Sequence, residues 1–199
     1  MSATRLLVLG AVRIHGVTHG YRVGRELMSW GAKEWANVKW GSIYHALGKL
    51  ASEGRLREFV APGDEEVGRT SYVLTDEGEA ELHRLMRAAL RHSGDDHGLL
   101  CAGITLMTSL PRAEVVELLK ERLVALEVAV PELSKSVEAT DAEWGKPPHV
   151  RELFHLWRMT MDAGVGWTRE LIASLEAGKY TMADDSPRAF GLPPVRDGA

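Results

Sequence analysis

The segment "KWGSIYHALGKLASEGRL", Lys39–Leu56, decides the fold. On a helical wheel, Ile43, Ala46, Leu47 and Leu50 fall within about 100° of arc, the width of a core-facing stripe. The opposite side carries Gly41, Tyr44, His45, Gly48 and Ser52, with Ser42 and Lys49 near its edge. The pattern predicts an amphipathic helix over about 39–53, closed by Gly54 in the usual C-terminal position. Its outer face is too polar for a core and too weakly charged for an ordinary solvated surface. Small residues keep that face low, although two interior glycines cost about 1 kcal/mol each relative to alanine. Tyr, His, Ser and Lys side chains offer donors and acceptors with little net charge. Those properties suit a helix that enters a major groove, with Lys39, Gly41, Ser42, Tyr44, His45 and Lys49 as candidate contacts. The plainer alternative is a solvated helix in which glycine is tolerated.

Working outward, residues 4–15 predict a helix with Leu6, Leu7, Leu9 and Val12 inward. "GVTHG" (Gly16–Gly20) reads as a turn, and residues 20–31 as a second helix with Tyr21, Val23, Leu27 and Trp30 apolar. "AKEWANV" then links to the 39–53 helix. Beyond it, "RLREFVA" (55–61) and "RTSYVLT" (69–75) alternate as strands do, and the intervening "PGDEEVG" is a polar turn, so the pair predicts a β-hairpin. "TDEGEAELHRLMRAALR" (75–91) opens a helix with Thr75 as N-cap and acids in its first turn, where the helix dipole favours them. Three helices, a hairpin and a further helix within residues 4–92 describe a winged helix-turn-helix.

The chain has 199 residues, 45% hydrophobic and 26% charged, as expected of a soluble globular protein. No apolar run reaches the roughly 18 residues of a membrane span. "LLVLGAV" near the N-terminus is short and lacks a cleavage site, so it reads as a buried helix in a cytoplasmic protein. The single Cys101 excludes an internal disulfide. The net charge of −4 hides an asymmetry: residues 1–60 hold nine Lys/Arg against four acids, and the remainder is acidic. A basic front end on an acidic body suits a module for a polyanion.

With these motifs in view, "LLVLGAV…HGYRVGREL", "WANVKWGSIYHALGKLASEGRL" and "RTSYVLTDEGEAEL" resemble the PadR family of bacterial transcription regulators. The match is close over residues 4–92. The helical stretch 98–177 is similar to the dimerisation region of the larger PadR subfamily. The resemblance implies that Ser42, Tyr44 and His45 lie on the recognition helix and that Arg69 sits on the wing, within reach of a phosphate or the minor groove. Two places depart from the family pattern. Trp40 stands where Pro or a small polar residue is common, and Thr70 and Ser71 stand where many members have a basic residue and an aromatic.

In the C-terminal half, "GLLCAGITLMTSL" (98–110) is apolar and predicts a buried helix. Pro111 opens another helix, with a stripe of Val115, Leu118, Leu119, Leu123, Leu126 and Val130. Pro131 is expected to kink or interrupt it. "GKPP" (145–148) breaks the chain. The last helix shows Val150, Phe154, Trp157, Met161, Gly164, Leu171 and Leu175 at heptad-like spacing, widened by Leu153, Leu156 and Trp167. That is more apolar surface than one small monomer covers, so a homodimer is expected, and with it a palindromic duplex site. Trp144, Trp157, Met161 and Trp167 could line an effector pocket, or simply form dimer core; the resemblance implies a small-molecule effector. His92, Asp95, Asp96, His97 and Cys101 are metal-ligand types without an organising spacing, and a helix cap at Asp95 or Asp96 explains them as well. The tail "GKYTMADDSPRAFGLPPVRDGA" has no periodicity and reads as an arm or disordered end, with Tyr180, Met182 and Phe190 as anchors on a partner subunit.

Expected, then, is a mainly α protein: a winged helix-turn-helix over 1–92, a helical dimerisation and effector domain over 93–177, and a tail over 178–199. No phosphate loop, nucleophile elbow or metal motif marks an enzyme, and no cofactor or metal site is implied. The expected function is a homodimeric, ligand-responsive repressor on double-stranded DNA. The alternatives are a winged-helix protein-interaction module and a metal-responsive regulator.

Overall fold

A computed structural model of the chain describes residues 2–60, 69–94, 96–138 and 145–194. Its architecture is built around α1 (Ala3–His15), in which every residue from Leu6 to Arg13 is buried. A helix covered all round belongs at the centre of a core. Around it lie β1 (Thr18–His19), α2 (Gly20–Ser29), α3 (Ala32–Ala36), α4 (Trp40–Ser52), β2 (Leu56–Val60), β3 (Thr70–Leu74), α5 (Asp76–Arg91) and α6 (His97–Leu106). α1 touches α2, α4, α5, α6 and β3.

The wing is a three-stranded antiparallel sheet in the order β1-β3-β2, rather than the two-stranded hairpin expected. β2 and β3 pair from Leu56↔Leu74 to Val60↔Thr70. The segment read as the turn "GVTHG" supplies the third strand, with Thr18↔Tyr72 and His19↔Ser71. The expected turn "PGDEEVG" lies outside the described residues. Where the wing meets α5, Thr75 caps the helix by accepting from Gly78 N at 3.0 Å. Its hydroxyl also lies 2.8 Å from the Gly54 carbonyl oxygen. A Cβ at position 78 would lie 2.0 Å from the Arg55 carbonyl oxygen, so only glycine lets the helix start this close to the strand.

The chain divides into two compact units, Met1–Val115 with Thr181–Ala199, and Val116–Tyr180. The boundary therefore lies well beyond the expected residue 92, because α6 packs on α1, α3 and α5. After a 3-10 turn at Met107–Ser109, α7 runs from Arg112 to Glu138, and it continues through Pro131 instead of breaking there. The tail, expected as an arm or a disordered end, forms an arm over its described part. Residues 181–194 are an ordered arm on the N-terminal unit of their own chain. Met182 is fully buried, Phe190 meets Trp30 edge-on at 5.7 Å, and Arg13 Nη1 donates to the Gly191 carbonyl at 2.9 Å.

In the second unit, α7 lies antiparallel to α8 (Arg151–Glu176). Arg169 pairs with Glu127 at 2.5 Å, and Lys120 with Glu176 at 3.5 Å. Arg122 is buried and donates from Nε to the Thr168 hydroxyl at 3.3 Å. Among the described residues, no helix is long and apolar enough to cross a membrane.

Candidate nucleic-acid interface

α4 is held by Ile43, Leu47 and Leu50, all fully buried, with Ala46 half-buried beside them. The far face is open. At Gly41 and Gly48 an added Cβ would meet nothing within 4 Å. His45 and Lys49 are exposed, and Lys49 Nζ lies 4.0 Å from Glu53. Lys39 is the N-cap. Ser42 is used within the helix itself. Its hydroxyl accepts from Lys39 N at 3.0 Å and donates to Lys39 O at 2.7 Å, which closes the first turn.

Two glycines of α2 let aromatic side chains of α4 settle against it. A Cβ at Gly24 would lie 2.1 Å from the Trp40 indole, and one at Gly20 would lie 2.6 Å from the Tyr44 ring. Trp40 in turn stacks on Tyr21, with centroids 5.8 Å apart and planes 19° apart. Trp40 therefore fills a place that Gly24 vacates. Tyr44 remains 51% exposed and Trp40 40%, so each ring has one face on the protein and one in solvent. Rings held in this way present contact surface at low entropic cost.

Between α4 and the wing lies a cleft of about 340 Å³ lined by His19, Gly20, Tyr21, Tyr44, Arg69, Thr70 and Tyr72. The structure thus brings Tyr44 and Arg69 together. Lys39, Gly41, His45 and Lys49 stand along the outer side of α4, away from that lining. Sequence reasoning missed His19, Tyr21 and Tyr72. Tyr21 reads in the sequence as part of an apolar stripe, and His19 acquires its place only through the pairing of β1 with β3. Burial, then the nearby Glu58 and Tyr44, push the Tyr72 phenol above its ordinary pKa. It stays a neutral donor.

The basic front end separates into two groups. Arg5, Arg13, Lys49 and Arg55 face carboxylates of Glu53, Glu79 and Glu81. Arg22, Arg25, Lys33, Lys39 and Arg57 form no ion pair with the described residues. The second group carries charge that no described carboxylate offsets.

The remaining candidates are dispersed. Trp157 meets Phe154 edge-on at 5.3 Å on α8, Trp167 is exposed further along it, and Met161 is half-buried. Trp144 lies outside the described residues, as does Asp95. Asp96 caps α6 by accepting from Leu99 N at 3.0 Å. Among the described residues no three His, Cys, Asp or Glu side chains gather as a metal-holding group.

Fold and site together define a winged helix-turn-helix protein with a low, polar face on α4 beside a wing. No family model and no curated protein matches the chain. Solved structures do. Bacillus subtilis PadR in complex with operator DNA is 24% identical, with a TM-score of 0.37, and the match covers 86% of this chain and 98% of that one. The same protein in complex with p-coumaric acid gives 23% and 0.35, covering 87% and 96%. A PadR-like transcriptional regulator from Bacillus cereus gives 18% and 0.36, covering 88% and 99%. These are structures of the family that the sequence motifs resemble.

Proposed function

We propose that the protein is a PadR-type transcriptional repressor that binds double-stranded DNA as a homodimer. The observation that carries this reading is the outer face of α4. It is empty above Gly41 and Gly48, walled by half-exposed Trp40 and Tyr44, and flanked by Arg69 on the wing. A major groove is about 12 Å wide and takes one helix of this kind, with side chains at its surface reaching base edges. Lys39, Tyr44, His45 and Lys49 are the proposed contacts along the groove. Gly41 gives close approach, Arg69 reaches a phosphate, and Ser42 supports the helix start.

The second copy is supported by α8, where Leu156 is 61% and Met159 56% exposed beside Leu153, Trp157 and Trp167. Apolar side chains of that size in one helix face mark an interaction surface. Trp157, Met161 and Trp167 are the residues proposed to meet an effector there, and Trp144 is proposed with them on sequence alone.

Footprinting and fluorescence anisotropy on DNA upstream of the coding sequence test the reading. Tyr44→Phe isolates the hydroxyl, and Tyr44→Ala also removes the ring that covers Gly20. The expected result is a loss of specific binding of about 0.5–1.5 kcal/mol in Tyr44→Phe, the worth of one hydrogen bond, with the thermal midpoint unchanged. Wild-type affinity in both variants would remove α4 as the reading element.

A further inference from the structure

The unpaired arginines of the front end are not scattered. Arg22 and Arg25 stand three residues apart on α2, a spacing that puts them on one face. With His15, Glu26 and Ser29 they line a cleft of about 330 Å³. The one carboxylate in it is already engaged. Glu26 Oε1 accepts from Trp30 Nε1 at 3.0 Å. Its Oε2 faces His15 Nε2 at 3.1 Å, so both carboxylate oxygens are occupied. His15 is nine-tenths buried by its side chain. Burial first, and Arg22 second, hold its pKa below the usual imidazole value, so the ring is a neutral donor or acceptor.

Two guanidinium groups with no acid of their own, beside a cleft whose one carboxylate is turned to His15 and Trp30, suit an anion with several oxygens. Guanidinium forks fit phosphate in this way. The place on the fold narrows the source. Arg25 lies one turn from Tyr21, which lines the cleft shared by Tyr44 and Arg69, so the basic strip continues from the reading face onto α2. In helix-turn-helix proteins the helix before the recognition helix crosses the DNA backbone. We propose that Arg22 and Arg25, over His15, clamp a backbone phosphate of the duplex beside the bases that α4 faces. The proposal rests on the DNA-binding reading above and adds a sequence-independent anchor to it.

The test uses the full-length protein and a random-sequence duplex of about three helical turns. Binding is measured across a series of salt concentrations. Each phosphate neutralised contributes about 0.9 to the slope of log affinity against log salt. With one phosphate clamped by each protomer of the proposed dimer, the double variant Arg22→Gln/Arg25→Gln is expected to flatten the slope by about 1.8. It should also weaken a selected operator and the random duplex by the same factor. Arg25→Lys, which keeps the charge, should keep the slope. The pair Lys120→Gln/Lys135→Gln removes the same net charge from the second unit and should leave it unchanged.

A wild-type slope in the Arg22/Arg25 double variant, with wild type itself binding, overturns the clamp and leaves the DNA reading standing. An equal loss in the lysine control overturns it too, since the effect would then be net charge alone. If inorganic phosphate at constant ionic strength binds wild type but not the double variant, yet leaves the duplex affinity of wild type unchanged, the cleft takes a free anion, and the backbone assignment fails. Absence of duplex binding by wild type at every salt concentration removes both readings together.

Discussion

Glu81 shows how much of the N-terminal unit hangs on single polar residues. Its carboxylate pairs with Arg5 of α1 at 2.5 Å and with Arg55, just before β2, at 2.8 Å. Arg5 also reaches Glu53 at the end of α4. One largely buried carboxylate thus ties α1, α4, the wing and α5. The hydrogen bond from Arg5, followed by its charge and then Arg55, holds the Glu81 pKa below the usual carboxylate value. A depressed carboxylate stabilises the folded state above its unfolded pKa and loses that contribution as pH falls through the folded value. Glu81→Gln should therefore cost about 1.5–3 kcal/mol at neutral pH. In thermal unfolding the variant and wild type should converge as the solution is acidified below the ordinary carboxylate range. At this scale the sequence was only partly legible. Ser42 was legible as a polar residue on the groove side, but its rotamer was not: the Lys39 backbone three residues back offers both a donor and an acceptor, and the hydroxyl takes both. Trp40 looks like a departure from pattern until Gly24 is seen beneath it.

Among the elements, α4 gives the sharpest separation of folding from binding. Gly48 has free space above it and sits in mid-helix, so Gly48→Ala should stabilise the unit by up to about 1 kcal/mol. On the DNA-binding reading proposed above, the same methyl group would intrude on a bound duplex. Thermal melting and DNA affinity measured on one preparation should move in opposite directions; affinity equal to wild type would mean that the face is low for no functional reason. The long periodic elements were readable, since α1, α2, α4, α5 and the two long wing strands each repeat an apolar spacing often enough to declare themselves. Two short elements were not. β1 has two residues and α3 five, too few for any period to register. α7 departs from expectation at Pro131 for a different reason. A proline removes one backbone donor and crowds one carbonyl, and this one is exposed, where a long helix absorbs the distortion without ending.

For the whole molecule, the arm was the largest surprise. It has no periodicity for a sequence reading to register, and several of its attachments are made to main-chain atoms. Arg13 donates to the Gly191 carbonyl, Thr108 to the Phe190 carbonyl, and Ala183 N to the Leu110 carbonyl. Contacts of that sort leave little trace in residue type. Side chains contribute as well: Met182 is fully buried, Phe190 meets Trp30, Asp184 accepts from Arg112 N, and Asp185 pairs with the Arg112 guanidinium. Met182→Ala should cost about 2–5 kcal/mol. The loss should appear in the unfolding of the N-terminal unit, followed by hydrogen exchange at α1. The arm also imposes an order on synthesis. Its seat beside Trp30, Thr108 and Arg13 leaves the ribosome first, and the segment that fills it follows only after Val116–Tyr180 has been translated, about 3–13 s later. For that interval the nascent unit is one piece short, with its Met182 site open to any chaperone that holds methionine-sized apolar side chains.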